Sequence, residues 1–194
     1  FSVFIDIPED RLDNPGWYDQ GKQVTTNKSK VTKLALLNNA ELVTQRQKQY
    51  ANDIGADYIL FQYDSTYKKF FNDIKNRFTE ISEYDIVNFY KHRVMRNLAD
   101  EYNYVCYIDF DVVPNTRDCI FASHNVDKML AVAESNRLAI RGKVMKAEDY
   151  NLCIRNPATK YWNTHALLME EGYDPENDVF NTGIMAASSD VIKR

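Results

Sequence analysis

Asp109 and Asp111, separated only by Phe110, are the side chains in this sequence best placed to do chemistry. They follow directly on Tyr104–Ile108, an uncharged run of mostly β-branched and aromatic residues, and precede Val112, Val113 and Pro114. Such a run reads as a short strand buried on both faces, and the proline stops it. A buried strand ending in Asp-x-Asp carries negative charge to the carboxyl edge of a sheet, where open α/β sheets bind ligands. Two adjacent carboxylates withdrawn from water are costly unless a cation or hydrogen-bond donors compensate them. A hard divalent ion, Mg²⁺ or Mn²⁺, does this well. It takes oxygen ligands and keeps positions open for phosphate oxygens. The plainer alternative is a solvated turn after an edge strand, and the apolar residues on both sides of the pair weigh against it.

The remaining elements must deliver that strand to the interior of a sheet. Phe1–Ile7 is apolar and β-prone and reads as a central first strand, closed by Pro8. Residues 8 to 28 read as a long loop, in which Trp17 and Tyr18 either cover a ligand or pin the loop to the core. A helix is expected over Lys30–Ile54, with Leu36, Ala40, Val43, Tyr50 and Ile54 on one face and Gly55 as its stop. A second strand is expected over Ala56–Tyr63, ending at Asp64. Phe70, Phe71, Ile74, Phe78 and Ile81 then mark a helix over residues 66 to 82, and Tyr84–Tyr102 a third, with Ile86, Phe89, Tyr90, Val94 and Leu98 inward. After Pro114 the pattern gives a helix near Val126–Ser135, a strand at Arg137–Arg141 and an irregular polar stretch over 142 to 158. A helix near Thr159–Glu171 and a strand at Val179–Ala187 follow. The order β-α-β-α-α-β up to Asp109 argues an α/β fold, a mostly parallel, Rossmann-like central sheet flanked by helices and joined by right-handed crossovers.

Composition narrows the class. The 194 residues suffice for one core. A formal net charge of -4 supplies no basic field to recruit nucleic acid. The three cysteines, Cys106, Cys119 and Cys153, show no metal spacing, and Cys106 lies within the apolar strand as a small core residue. The expectation is a cytoplasmic or other reducing compartment, with no membrane segment and no signal peptide. The chain starts at Phe1 and stops in a helix-like run, Ser188–Arg194. It is therefore expected to be a single domain over 1–194 that is cut short at its C-terminus.

An apolar strand into Asp-x-Asp, preceded by a cation-bearing helix and followed later by Phe180-Asn181-Thr182-Gly183, resembles the GT-A glycosyltransferases. The likeness is nearest to the branch of glycogenin and the bacterial lipopolysaccharide galactosyltransferases. There the strand reads aliphatic-Tyr-Leu-Asp-x-Asp, against Cys106-Tyr107-Ile108-Asp109-Phe110-Asp111 here. That branch also has Phe-Asn-Ser/Ala-Gly and an Arg or Lys about sixteen residues before the first acid, where Arg93 stands, with Lys91 and Arg96 as rivals. The resemblance implies a metal-dependent transferase using a nucleotide-sugar donor, a UDP-sugar by preference, with Asp109, Phe110 and Asp111 at the metal and diphosphate. It implies Arg93 as a second positive charge near the donor and Asn181 and Gly183 beside the sugar. Asp6, Ile7, Pro8 and Asp64, at the ends of the first two strands, would hold the base and ribose. The near branch is retaining.

Two departures from that pattern stand out. The interval from Asp111 to Asn181 is long, which implies an insertion over residues 142 to 175, with Tyr161, Trp162 and His165 as candidates for the acceptor side. The family's later Asp-Gln element and a third metal ligand, a His, would lie beyond Arg194.

Two other readings stay open. Asp109-x-Asp111 after an apolar strand also fits the first motif of haloacid-dehalogenase phosphohydrolases, with Asp109 as nucleophile and Ser188 as a second motif. Against it, that motif normally opens the fold, whereas over a hundred residues precede it here. The third reading is a non-catalytic nucleotide- or glycan-binding domain.

Overall fold

The computed structural model describes residues 1–12, 17–19, 22–24, 28–133, 139–140, 143–144, 172–173 and 180–194. Its strands are β1 (Ser2–Val3), β2 (Trp17–Asp19), β3 (Lys22–Val24), β4 (Leu60–Phe61), β5 (Tyr104–Ile108), β6 (Leu130–Ala133), β7 (Ala139–Ile140), β8 (Lys143–Val144) and β9 (Phe180–Ser188). Its helices are α1 (Lys28–Asp53), α2 (Ser65–Arg77), α3 (Glu83–Leu98), α4 (Ile120–Ser123) and a final turn, α5 (Ser189–Ile192).

The apolar amino-terminal run enters the sheet interior. β1 pairs in parallel with β4, Ser2 opposite Leu60 and Val3 opposite Phe61. On its other side the Phe1 nitrogen donates to Cys106 O at 2.7 Å, and Ile108 N donates to Phe1 O at 3.0 Å. Bonds from one residue to the neighbours on either side of Tyr107 are the parallel pattern. β5 in turn pairs antiparallel with β9, and β6 lies beyond β9. The strands thus form a parallel pair, β4-β1, and a three-stranded sheet, β5-β9-β6 with β5 and β9 antiparallel, bridged where Phe1, just before β1, meets β5 in the parallel sense.

Helix boundaries have local causes. Asp64 caps α2 by accepting from Tyr67 N at 2.9 Å. Ser82 caps α3 by accepting from Asp85 N at 3.0 Å, and donates in turn to the Asp85 carboxylate. Gly55 ends α1 at φ +68, the left-handed conformation that favours glycine after a helix. α3 buries Ile86, Tyr90, Val94, Met95 and Leu98, and the last four join Val3, Ile5, Ile7, Val105, Tyr107 and Met185 in the core around the sheet. Burial of one such aliphatic side chain stabilises by about 1.5–3 kcal/mol.

Several expectations are corrected. Residues 8 to 28 are not all loop: β2 and β3 form a hairpin in register Trp17 with Val24 and Asp19 with Lys22. Residues 126 to 133, the described part of the helix expected near Val126–Ser135, are not helical. Val126 lies in a turn, and Leu130–Ala133 is a strand. The five-residue apolar run Met129–Ala133 does not distinguish the two by periodicity. Of the expected strand at Arg137–Arg141 the described residues, Ala139–Ile140, are a strand, paired with Lys143–Val144. The expected helix at Thr159–Glu171, with Tyr161, Trp162 and His165, lies outside the described residues.

The chain divides into two compact units. One comprises Phe1–Asp13, Ser29–Ala131 and Thr182–Arg194, and holds the Asp-x-Asp strand with its helices. The other comprises Asn14–Lys28 and Val132–Asn181, and includes the β2-β3 and β7-β8 hairpins. Among the described residues no helix is long and apolar enough to cross a membrane.

Alongside β5, from Tyr104 to Ile108, a cavity of about 340 Å³ is lined also by Tyr50, Tyr58, Leu98 and Tyr102. Burial pushes the Cys106 thiol up to about 11. At pH 8 only about one part in a thousand would be thiolate, against about a quarter for an ordinary cysteine. Cys106 in native protein is therefore expected to alkylate with iodoacetamide about two orders of magnitude more slowly than in urea, read by peptide mass spectrometry. Equal rates would show that this strand does not hold its side chains.

Candidate active site

The chain turns as soon as β5 ends. Val112 N donates to Asp109 O at 3.0 Å and closes a four-residue turn, Asp109–Val112. Phe110, its second residue, is 4% exposed and stacks on Phe4 with ring centroids 4.4 Å apart. The ring is thus an inward anchor, and only the Phe110 backbone remains available to a ligand. The two acids beside it stay accessible: Asp109 is half-buried and Asp111 is exposed.

Asp109 is held from three directions. Its backbone nitrogen donates to Gly183 O at 2.6 Å, which sets the Phe-Asn-x-Gly strand beside the acidic turn. The Tyr107 hydroxyl donates to Asp109 Oδ1. The Lys91 ammonium lies 3.8 Å from the same oxygen. Lys91 is 4% exposed and also donates to Thr182 Oγ1 at 2.8 Å and Thr182 O at 3.2 Å, with its nitrogen 5.0 Å from the Tyr107 ring centroid. A buried ammonium needs such partners, since an unpaired one would be costly.

The cation facing the acids is therefore Lys91, the rival of Arg93. Arg93 is exposed. Two residues along a helix amount to a rotation of about 200°, so the face that turns Lys91 inward turns Arg93 away. Arg96, the other rival, pairs with Asp100 at 3.2 Å. The sequence alone does not single out Tyr107 and Thr182 as site residues. For Lys91 it does hold a signal: Val87, Lys91, Val94 and Leu98 share one helical stripe, apolar except at Lys91.

The other expected residues are placed as follows. Asp6 pairs with Lys33 at 2.7 Å, and Lys33 also donates to Ile7 O at 2.7 Å. The Ile7 side chain is buried and Pro8 half-buried, so the backbone of this segment is committed to α1 as much as to any ligand. Arg11 fastens the following turn, donating to the Tyr63 hydroxyl at 2.7 Å and lying 3.5 Å from buried Glu83. Asp64 spends one carboxylate oxygen on the α2 cap. Asp64→Ala is therefore expected to lower stability by about 1 kcal/mol in urea denaturation, and Asp64→Asn to restore most of it. If the asparagine variant keeps its stability yet loses nucleotide affinity, Asp64 serves the ligand as well as the cap. Asn181 is half-buried at the start of β9, and Gly183 is buried within it.

Hard oxygen donors of this kind fit Mg²⁺ or Mn²⁺. Asp109 retains its second carboxylate oxygen, and Asp111 is open to solvent. Among the described residues no group of three or more His, Cys, Asp or Glu side chains gathers at one point. Asp109 and Asp111 are thus the donors this part of the chain offers.

Comparison with protein families finds one match, to the description "Glycosyl transferase family 8", over residues 22–193, well over half the chain. The chain belongs to glycosyl transferase family 8. Neither curated proteins nor solved structures give a match. As a family 8 member it is a glycosyltransferase, and the phosphohydrolase reading is overturned. The sheet register agrees. Ser188, the residue that reading needs near Asp109, lies opposite Tyr104 at the far end of β5. At about 3.3 Å per residue the length of the strand separates them.

Proposed function

We propose that this family 8 glycosyltransferase moves a sugar from a nucleoside-diphosphate sugar, UDP by preference, to an acceptor, using Mn²⁺ or Mg²⁺ held by Asp109 and Asp111. The observation that carries the reading is the acidic turn at the carboxyl end of β5, with the buried ammonium of Lys91 3.8 Å from one of its oxygens. A bound divalent ion would neutralise negative charge on the departing diphosphate. Tyr107 and Lys91 both engage one oxygen of Asp109, which orients the carboxylate and leaves its second oxygen for the ion. Lys91, rather than Arg93, supplies the fixed positive charge behind the phosphates. Asn181 is assigned to a sugar hydroxyl, Gly183 to a close backbone approach, and Asp6, Ile7, Pro8 and Asp64 to the nucleoside side.

The order Asp-Phe-Asp then Phe-Asn-Thr-Gly supports placement near the glycogenin and lipopolysaccharide galactosyltransferase branch. The parallel β4-β1 pair and the bridge from Phe1 to β5 support a GT-A sheet, and we treat 1–194 as one catalytic domain. Free thiols at Cys106 and Cys119 support a reducing compartment.

Thermal melting with UDP, GDP and dTDP, each with Mn²⁺ and with EDTA, tests the reading. A ligand at a hundred times its Kd stabilises by about 2.7 kcal/mol, which for a chain of this length raises Tm by about 5–10 °C. One nucleotide is expected to do so, and only with metal. Identical melting in Mn²⁺ and EDTA for all three would overturn it.

A further inference from the structure

We infer that Gln47, on α1, is a positioning residue that fixes the shape of the Asp109–Val112 turn and thereby the two carboxylates. The inference rests on the metal-binding reading of that turn. Gln47 is 1% exposed, among the most buried polar side chains described. Its Nε2 donates to Asp109 O at 3.1 Å and to Val112 O at 2.8 Å, the carbonyls of the turn's first and last residues. Its Oε1 accepts from Ser2 Oγ and from the Tyr58 hydroxyl, both at 2.7 Å. Both amide protons and both oxygen lone pairs are thus engaged, the full capacity of the group.

The amide orientation follows from its neighbours. Two backbone carbonyls on one side accept only, so the nitrogen must face them. Ser2 also lies 2.8 Å from Ile108 O and has a single proton to share. Ser2, Tyr58 and Gln47 therefore form a brace from β1 and the chain before β4, through α1, to the turn. Without it the two turn carbonyls lose a buried donor. The ties that remain are the bond from Val112 to Asp109, the Phe110 anchor and the contacts of Asp109 with Gly183, Tyr107 and Lys91, and none of these reaches the Val112 carbonyl. Gln47 touches neither the metal nor the donor. It acts through the backbone that carries Asp109 and Asp111.

The test is Mn²⁺ affinity, read by electron paramagnetic resonance of free Mn²⁺, alone and with UDP present. The proteins are the parent, Asp111→Ala, Gln47→Met, Tyr58→Phe and Val43→Ala. Val43 is a buried residue of the same helix one turn away, so its variant reports general destabilisation. Partners that orient metal ligands typically matter by about 10–100-fold in affinity. Gln47→Met is expected to weaken Mn²⁺ binding about tenfold in protein that still melts cooperatively, while Val43→Ala leaves it unchanged. Tyr58→Phe removes one bond that orients the amide and no group at the turn, so it is expected to shift affinity in the same direction by a smaller factor. It decides the matter should the methionine variant not fold. If Asp111→Ala abolishes binding but both brace variants stay within about 1.5-fold of the parent, far below the effect typical of such partners, the inference is overturned and the metal reading stands. If Asp111→Ala binds Mn²⁺ as the parent does, the metal reading falls and this inference with it.

Discussion

Asp111→Ala is expected to abolish metal-dependent donor binding while leaving the fold intact. Asp111 is exposed, and no described side chain is hydrogen-bonded to its carboxylate. Surface changes of this kind usually alter stability by less than about 0.5 kcal/mol. The functional effect follows from the donor count. Asp109 already has one oxygen engaged with Tyr107 and Lys91, so removing Asp111 leaves a hard cation one free carboxylate oxygen at the turn. Charge stabilisation by such an ion is worth several kcal/mol, so transfer should fall by about 10³-fold or more. Asp111→Asn keeps the shape but loses the charge and should fall nearly as far. The measurements are UDP titration with and without Mn²⁺ and release of UDP from a panel of UDP-sugars. Mn²⁺-dependent UDP binding at parental strength in Asp111→Ala would remove the metal from this turn.

Much of this arrangement is legible in the amino-acid sequence. An apolar five-residue strand running into two acids is expected to be buried on both faces. β5 is buried on one, with Val105 and Tyr107 in the core, while Tyr104 is exposed and Cys106 and Ile108 are half-buried. Phe-Asn-x-Gly opens a strand-like run late in the chain, and Gly183 lies against Asp109. What the sequence hides is the identity of the polar groups that serve the acids. Arg93 and Lys91 are equally cationic by type, and only their angle around α3 separates them. Gln47 reads as a solvent residue by type, yet Ala40, Val43, Gln47, Ala51 and Ile54 form one helical stripe. In both helices the informative signal is a single polar residue interrupting an apolar line. Such a residue must find buried partners. For Gln47 these are Ser2, Tyr58 and two turn carbonyls, most of them far away in sequence, which no local pattern names. The β2-β3 hairpin and the β8 partner of β7 escape sequence reading because strands of two or three residues carry too few alternations to register.

Lys91→Met is the second large effect, and it separates an electrostatic role from a packing one. Methionine matches the length of lysine and suits a site 4% exposed, so the packing of α3 against β5 should survive. One partly buried acceptor, Thr182 O, loses its donor, a destabilisation of about 1 kcal/mol or somewhat more. Relief of the buried charge offsets part of it, and Asp109, still 38% exposed at its side chain, can turn to water. Turnover should fall much further, by about 10²–10³-fold, as when one preorganised group facing developing negative charge is removed. UDP affinity should drop more than uridine affinity, because the lost charge serves the phosphates and not the base. Lys91→Arg is not expected to rescue. The guanidinium is a wide planar fork, and this pocket is cut for a compact ammonium with acceptors at Thr182 on one side and Asp109 on the other. A methionine variant that turns over within about fivefold of the parent, well short of the loss typical for such a group, would reduce Lys91 to a structural tie between α3 and β9. The positive charge behind the diphosphate would then have to come from another part of the chain.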